Sequence, residues 1–448
     1  MEKKSKKQDK TDDPNFIGEG TYGSVFIEKD MAVKKFWELP TLVQEYCALI
    51  KLEESENVVK AKKLDIENLS IGMELYEMDF HEWIKNNPNE EKKFLKLFRS
   101  FLKGLVYLHD QNLVHADIKP GNILVNLKGK KCVVGDCGFV SLEPNEKCKL
   151  TATKYRDPNP LRRKSHDMYS CGIILTEYFG GPLKFNTISE LIKLAEKIQN
   201  YKHKKLILNE IEKCKREKRN PHKALLKLSK KMCSHNCSDC PKDIVAKMII
   251  SCKKMEYEYI YRIANKIQNK KISQIAINLV QYKHQKRINS RKLYFELYGE
   301  RLPSHKLQIH NYPIDLDPYK VLFEKQFKNS LFMLINHPQK YIIESKENEF
   351  KNIKSFVSDK KNLLDFITNK TLDKALYAFA KNTDFFEETN LNKFLLISVY
   401  IASCIYNRRI IGNYLHTIIL SNYSNEKDFF NDLRNLMTNK HFVLSLYE

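Results

Sequence analysis

The sequence predicts an α+β architecture: a β-rich beginning, a helical middle, and then an all-α C-terminal domain. Three observations carry the prediction. Extended apolar pieces flank a glycine-rich turn, Gly18-Glu-Gly20-Thr-Tyr-Gly23. From Phe94 to His109, apolar residues recur at the spacing of one helix face. Three further helical patterns, beginning at Thr371, Leu391 and Glu426, lie late in the chain, and the middle one is apolar almost all round. At 448 residues the chain exceeds what one hydrophobic core usually organises. Its 42% hydrophobic and 11% aromatic content argues for a globular chain.

Residues 1–13 are charged and without apolar periodicity, so they read as a disordered basic arm whose lysines also fit a nuclear address. The glycines at 18, 20 and 23 let backbone amides approach phosphates with no Cβ in the way. Taken alone, this spacing fits a dinucleotide fold equally well, but there a helix opens at the third glycine. Here the turn leads into Val25-Phe-Ile and Met31-Ala-Val-Lys34, which read as two strands of a hairpin. Behind Pro40, apolar residues to Leu52 fall at helical intervals, with the proline suited to a first turn. Ser70 to Phe80 is an apolar strand giving way to a polar, helix-leading segment. The helix ending near His109 delivers the chain to His115-Ala-Asp-Ile-Lys-Pro-Gly-Asn122. Asn122-Ile-Leu124-Val is a short strand, and Cys132 to Gly138 is another, ending at Asp136 beside a glycine.

The His115–Asn122 stretch places three chemical capacities in one loop. Asp117 can accept the proton of an attacking hydroxyl, Lys119 can hold a transferring phosphate, and Asn122 can offer its amide oxygen to a metal. By itself the stretch also reads as a surface turn built on Pro120-Gly121.

Together these motifs resemble the eukaryotic-type protein kinase family, whose H-R-D-x-K-x-x-N loop matches His115–Asn122 with Ala116 in place of arginine. Lys119 resembles the serine/threonine branch. The resemblance implies the bilobal protein kinase fold over residues 14–255, with an N-lobe at 14–75 and a C-lobe at 76–255. It implies catalytic roles for Asp117, Lys119, Lys34 and Glu45, with Glu45 keeping the buried Lys34 charged and aimed. The ATP-binding set would be Ile17, Gly18, Glu19, Gly20, Thr21, Tyr22, Gly23 and Val25 over the phosphates, with Lys34 on the α- and β-phosphates. Ala32 would lie against adenine, Met73 would be the gatekeeper, Glu74 and Tyr76 would offer backbone groups, Asp79 would sit near the ribose, and Leu124 completes the set. Asn122 and Asp136 would hold Mg²⁺, for which Mn²⁺ could substitute. The helix behind Pro40 and the Gly-Glu-Gly-Thr21-Tyr22-Gly turn look like those of cyclin-dependent kinases, where the Thr-Tyr pair is a target of inhibitory phosphorylation. Thr371 onward, with Ile-Ala402-Ser before Cys404, is similar to a cyclin box, which implies docking of residues 346–448 onto the same chain. Residues 256–345 are expected to be a helical connector with no functional reading.

Several positions depart from the family pattern. Cys137 replaces the phenylalanine of D-F-G, which should weaken packing against the helix bearing Glu45 without removing a metal ligand. Asn159 replaces the glutamate of A-P-E, which puts that anchor to the large lobe in question. Asp167 resembles the aspartate that braces the catalytic loop. The three arginines that hold an activating phosphothreonine correspond to Ala116, Gln44 and Ser141, so activity should not require that phosphorylation. The same departures support a rival reading, a pseudokinase scaffold that binds nucleotide without efficient transfer.

Net charge is +22. That implies affinity for acidic surfaces, with nucleic acid entering only as a nonspecific basic interaction, while the kinase resemblance implies protein serine and threonine hydroxyls as the substrates. Eleven cysteines, an odd number, argue for a reducing compartment without a disulfide framework. The His- and Cys-bearing stretch Cys233–Cys240 has ligands for zinc but poor spacing, and reads as reduced loop cysteines. No apolar segment follows the basic start, and the longest apolar run, Phe394 to Tyr406, is too short to span a bilayer. The expectation is an intracellular protein of cytoplasm or nucleus.

Overall fold

The computed structural model describes residues 13–304 apart from 129, 143–144, 148–153, 158–160, 218–219 and 233–240, and in the C-terminal part residues 369–382, 391–406, 416, 419–420, 423 and 425–447. The predicted hairpin opens the chain as Phe16–Glu19 (β1), Gly23–Glu28 (β2) and Met31–Phe36 (β3). With Ala61–Asp65 (β4) and Ser70–Glu74 (β5) these form an antiparallel five-stranded sheet of order β1-β2-β3-β5-β4. Gly23 is required where β2 meets β3, because a Cβ there would lie 2.2 Å from the Lys35 carbonyl oxygen.

Leu39–Lys51 (α1) follows β3, with Pro40 in its first turn. Eleven of its 13 residues are buried, so it has no solvent face to speak of and must be covered on both sides. The sheet covers one. The other is packed by C-terminal helices, chiefly Leu391–Tyr406 and Lys440–Leu446.

In the helical lobe, Phe80–Asn86 (α2) leads to Glu91–Asp110 (α3), whose buried stripe of Phe94, Phe98, Phe101, Leu102 and Leu105 matches the predicted periodicity. Leu113–Val114, Ile123–Asn126 and Lys131–Val134 are short strands that bracket the catalytic-type loop, the last two paired antiparallel. Lys164–Gly180 (α4) runs through the centre, buried from His166 to Thr176. Its Gly172 allows a close helix crossing: a Cβ would meet the Leu279 Cβ at 2.7 Å.

The boundary is expected near residue 255. That position falls inside the helix Pro241–Asn265, and the chain beyond it stays with the lobe. Lys270–Leu279 packs on α4, and Ser290–Tyr298 packs on the Glu91–Asp110 helix. Contacts made across more than 100 residues hold this segment in place, and local periodicity could not reveal them.

Thr187–Glu196 (α5), Tyr201–Arg216 (α6), Pro221–Met232 (α7) and the start of Pro241–Asn265 (α8) form a helical unit with its own core, built on Leu191, Ile207, Ile211, Leu225, Val245 and Cys252.

Among the described residues, the C-terminal part holds Asn369–Lys381 (α9), Leu391–Tyr406 (α10), Glu426–Thr438 (α11) and Lys440–Leu446 (α12). The all-round apolar α10 is buried from Phe394 to Ile405, between α9 and α1. The seven cysteines among the described residues are buried free thiols, while Cys233–Cys240 lies outside the described residues. Among the described residues, no helix is long and apolar enough to cross a membrane.

Candidate active site

Lys34 on β3 and Glu45 on α1 meet at 2.6 Å, and the Lys34 ammonium also reaches Asp136 Oδ1 at 2.8 Å. Both Lys34 and Glu45 are buried. Burial acts to lower the Lys34 pKa, but the carboxylates of Asp136 and Glu45 outweigh it and hold the ammonium above its ordinary range. Burial pushes Glu45 up to about 7, against the pull of Lys34 and with Asp136 adding to the rise. Burial opposes ionisation of Asp136 as well, yet Lys34 keeps that carboxyl below its usual value. One cation is therefore shared by two acids, one from each lobe.

Gly138 suits this geometry: a Cβ there would stand 2.8 Å from Glu45 Oε2, so a larger residue would shift the carboxylate that holds Lys34. Cys137 is fully buried beside it, and the ion pair of Lys34 with Glu45 is closed despite the small side chain. Asp136 adopts the left-handed conformation (φ 51°), which turns its carboxylate back towards Lys34.

The loop after Leu113–Val114 is held by Asp167 of α4. Its carboxylate accepts the backbone N–H of His115 at 2.8 Å and that of Ala116 at 2.8 Å, and it lies 2.9 Å from His109 Nε2. Burial works to raise the Asp167 pKa, but the hydrogen bond from His109 and its charge keep it low, so the brace stays ionised. Ala116 is thereby fixed at φ 64°, strained for a residue with a Cβ. Beyond it, Asp117 Oδ2 accepts from Lys119 Nζ at 2.8 Å and from Asn122 Nδ2 at 2.9 Å. With its Nδ2 turned to Asp117, Asn122 is left with Oδ1 as the atom to offer a cation.

The structure thus brings Lys34, Glu45 and Asp136 together, and Asp117, Lys119 and Asn122 together. Around them, Ala32 pairs in register with Met73 of β5, and Val25 pairs with Lys34. Val25, Ala32 and Leu124 are half-buried apolar residues from the two lobes. Ile17 is exposed on β1, and Gly18 and Glu19 complete that strand. Gly20 N–H donates to the Gly23 carbonyl at 2.8 Å, closing the turn that carries Thr21 and Tyr22. Asp79 caps the next helix by accepting from Glu82 N–H at 2.8 Å, and the Tyr76 hydroxyl donates to Glu74 at 2.7 Å.

Three residues that sequence reasoning passed over also belong to the site's frame. Phe139 packs with Val114 and Ala116, and its ring lies 4.9 Å from that of Tyr22 at the tip of the glycine turn. Asp157 and Arg287 correct the expectation that the anchor of the segment after Asp136 is in question. Arg287 reaches both oxygens of Asp157, one at 3.1 Å, and also donates to the carbonyls of Ser165 at 2.9 Å and Gln281 at 2.7 Å. The pair is completely dry, with side-chain exposures of 0% and 2%. The acid lies two residues before Asn159, which is itself outside the described residues. An acid that near the expected position was a visible signal; its arginine partner, 130 residues away, was not.

The donor set fits a hard divalent cation: the Asp136 carboxylate and the Asn122 amide oxygen are both oxygen ligands, and Mg²⁺ needs only one or two from a protein beside phosphates.

Comparison with known proteins agrees with this geometry. The family model described as "Protein kinase domain" matches residues 12–297. Mitogen-activated protein kinase spm1 of Schizosaccharomyces pombe is 30% identical over 208 residues, 38% of this chain and 49% of that protein. Cyclin-dependent kinase F-3 of Oryza sativa subsp. japonica is 32% identical over 187 residues, 36% of this chain and 42% of that protein. Cyclin-dependent kinase E-1 of Arabidopsis thaliana is 29% identical over 199 residues, 36% of this chain and 42% of that protein. The chain spans less than half the length of each of these three relatives.

Proposed function

The chain belongs to the protein kinase family, and we propose that it is a serine/threonine kinase that transfers the γ-phosphate of ATP to protein hydroxyls. The observation that carries the reading is the convergence of Lys34 and Glu45 from the small lobe with Asp136, Asp117, Lys119 and Asn122 from the helical lobe. Lys34, aimed by Glu45, orients the α- and β-phosphates. Asp117 aligns the substrate hydroxyl and takes its proton. Lys119, already 2.8 Å from Asp117, neutralises charge on the moving phosphoryl group. Mg²⁺ held by Asp136 and Asn122 supplies electrostatic stabilisation of the phosphate oxygens when bound. Positioning and preorganised charge carry the rate, since phosphoryl transfer leaves little covalent work to the protein.

The reading includes activity without phosphorylation of the segment after Asp136. Its support is the chemistry at the three positions where such a phosphate would be held. Ala116 is buried against Val114 and Phe139, Gln44 donates to the Val140 carbonyl at 3.5 Å, and the Ser141 hydroxyl has no hydrogen-bond partner among the described residues. At Ala116 an apolar contact with Val114 and Phe139 stands where a cation would be. Protein made in bacteria, treated with phosphatase and checked by mass spectrometry, is expected to phosphorylate a generic basic protein. Inactivity that an upstream kinase restores would refute the phosphorylation-independent part; ATP binding with no transfer under any treatment would favour the scaffold reading.

Regulation in cis by the C-terminal helices completes the proposal. Its support is that α10 and α12 pack on α1, the helix that carries Glu45. Lys440 at the start of α12 lies 2.5 Å from both Glu53 and Glu54 just past α1, and Lys51 sits over the Tyr447 ring at 5.7 Å. Sharing one chain gives the docking helix and its cover a high effective concentration with no assembly step. Removing residues after about 330 exposes the apolar side of α1 and frees Glu45 to drift. Turnover is expected to fall on the order of 10²-fold, the cost of a misplacement near 1 Å, and a truncated chain of undiminished activity would remove this part.

A further inference from the structure

The net charge of the chain is not evenly spread. Residues 184–254 hold nineteen Lys and Arg against seven Asp and Glu, a surplus of twelve out of the total of +22. This is the unit of α5 to α8, whose core is separate from that of the lobe. Within it the charge is ordered on α6. Ile207, Ile211 and Cys214 are buried on the inner face. Opposite them Lys202, Lys205, Asn209, Lys213 and Arg216 are all exposed. At 100° per residue they fall within an arc of about 80°. The four cations have no acidic partner among the described residues, whereas neighbouring Lys215 stands 4.0 Å from Glu212.

We propose that the outer face of α6 binds the phosphate backbone of duplex nucleic acid. The cations form two pairs, at 202/205 and at 213/216, separated by about 16 Å along the helix at 1.5 Å per residue. A helix laid across a major groove about 12 Å wide brings each pair to the phosphates of one wall. The stripe is three lysines and one arginine with an amide between them, point charges suited to phosphate oxygens. The five residues of the stripe include no aromatic or aliphatic anchor of the kind that dominates protein interfaces or inserts into lipid, and the exposed Tyr201 and Leu206 stand at its margins rather than within it. Such contacts carry position and affinity without base readout, so the interaction is sequence-independent. This inference goes beyond the catalytic reading and does not depend on it.

The test is fluorescence anisotropy of the full chain with a 20-base-pair duplex of arbitrary sequence, repeated from 50 to 200 mM salt. The variant Lys202→Gln/Lys205→Gln/Lys213→Gln/Arg216→Gln keeps good helix formers at exposed sites. Its plot of log affinity against log salt is expected to be shallower by about 3.6, with affinity at low salt down at least tenfold or so. Lys85→Gln/Lys92→Gln/Lys96→Gln/Lys103→Gln removes the same charge elsewhere and is expected to keep nearly the wild-type slope. Should the fourfold variant unfold by circular dichroism, each pair replaced alone is expected to lower the slope by about 1.8. The proposal is overturned if the wild type does not bind duplex, if both fourfold variants weaken binding equally, or if anionic vesicles or polyglutamate compete better than duplex at equal charge.

Discussion

Asp117→Asn lowers turnover by at least ~10²–10⁴-fold, the contribution of a lost general base, and leaves ATP affinity unchanged. The substitution keeps the shape of the side chain and one acceptor oxygen. It removes the negative charge that Lys119 and Asn122 now contact at 2.8 and 2.9 Å, and with it the proposed acceptor of the hydroxyl proton. Nucleotide should be held as before, because Lys34, Glu45 and Asp136, which pair with one another, are untouched. Single-turnover transfer from labelled ATP, measured beside equilibrium nucleotide binding, separates the two effects. Near-normal transfer by the variant would reject Asp117 as the base, and a matching loss of ATP affinity would show that it acts on binding.

The second large effect falls on stability. Asp157→Ala strands the Arg287 guanidinium in a dry environment, and breaking a buried pair from one side costs about 3–5 kcal/mol. At roughly 2–4 °C per kcal/mol for a domain of this size, the melting temperature drops by about 6–20 °C. The double replacement Asp157→Leu/Arg287→Met should recover much of the loss, since no buried charge is then left alone. Activity discriminates further. The pair ties the segment after Asp136 to the helical lobe, so the surviving folded enzyme should show a raised KM for protein substrate and little change in KM for ATP. A variant that melts like the wild type would mean that the pair is not the anchor.

These two predictions rest on different kinds of legibility. Asp117, Lys119 and Asn122 lie within six residues of one another, and Lys34 follows the glycine turn by a fixed strand pairing, so a short string of residue types was enough to nominate them. The helices at Phe94–His109 and Leu391–Tyr406 were legible for a similar reason: burial of one face or of all faces writes itself into period and composition. The end of the helical lobe was not legible. Pro241–Asn265 crosses the expected boundary, and the helices after it look locally like any amphipathic connector.

What the sequence determined alone was the list of chemical groups and the class of fold, because spacing within a strand, turn or helix turn dictates which side chains point the same way. Only the tertiary structure decided who answers whom. It matched Asp157 to Arg287 across 130 residues, set Lys440 against Glu54 across 386, and laid α10 and α12 on the helix bearing Glu45. The physical reason is that such pairings are fixed by the closure of long loops and the joint burial of distant surfaces, and neither leaves a periodic trace along the chain.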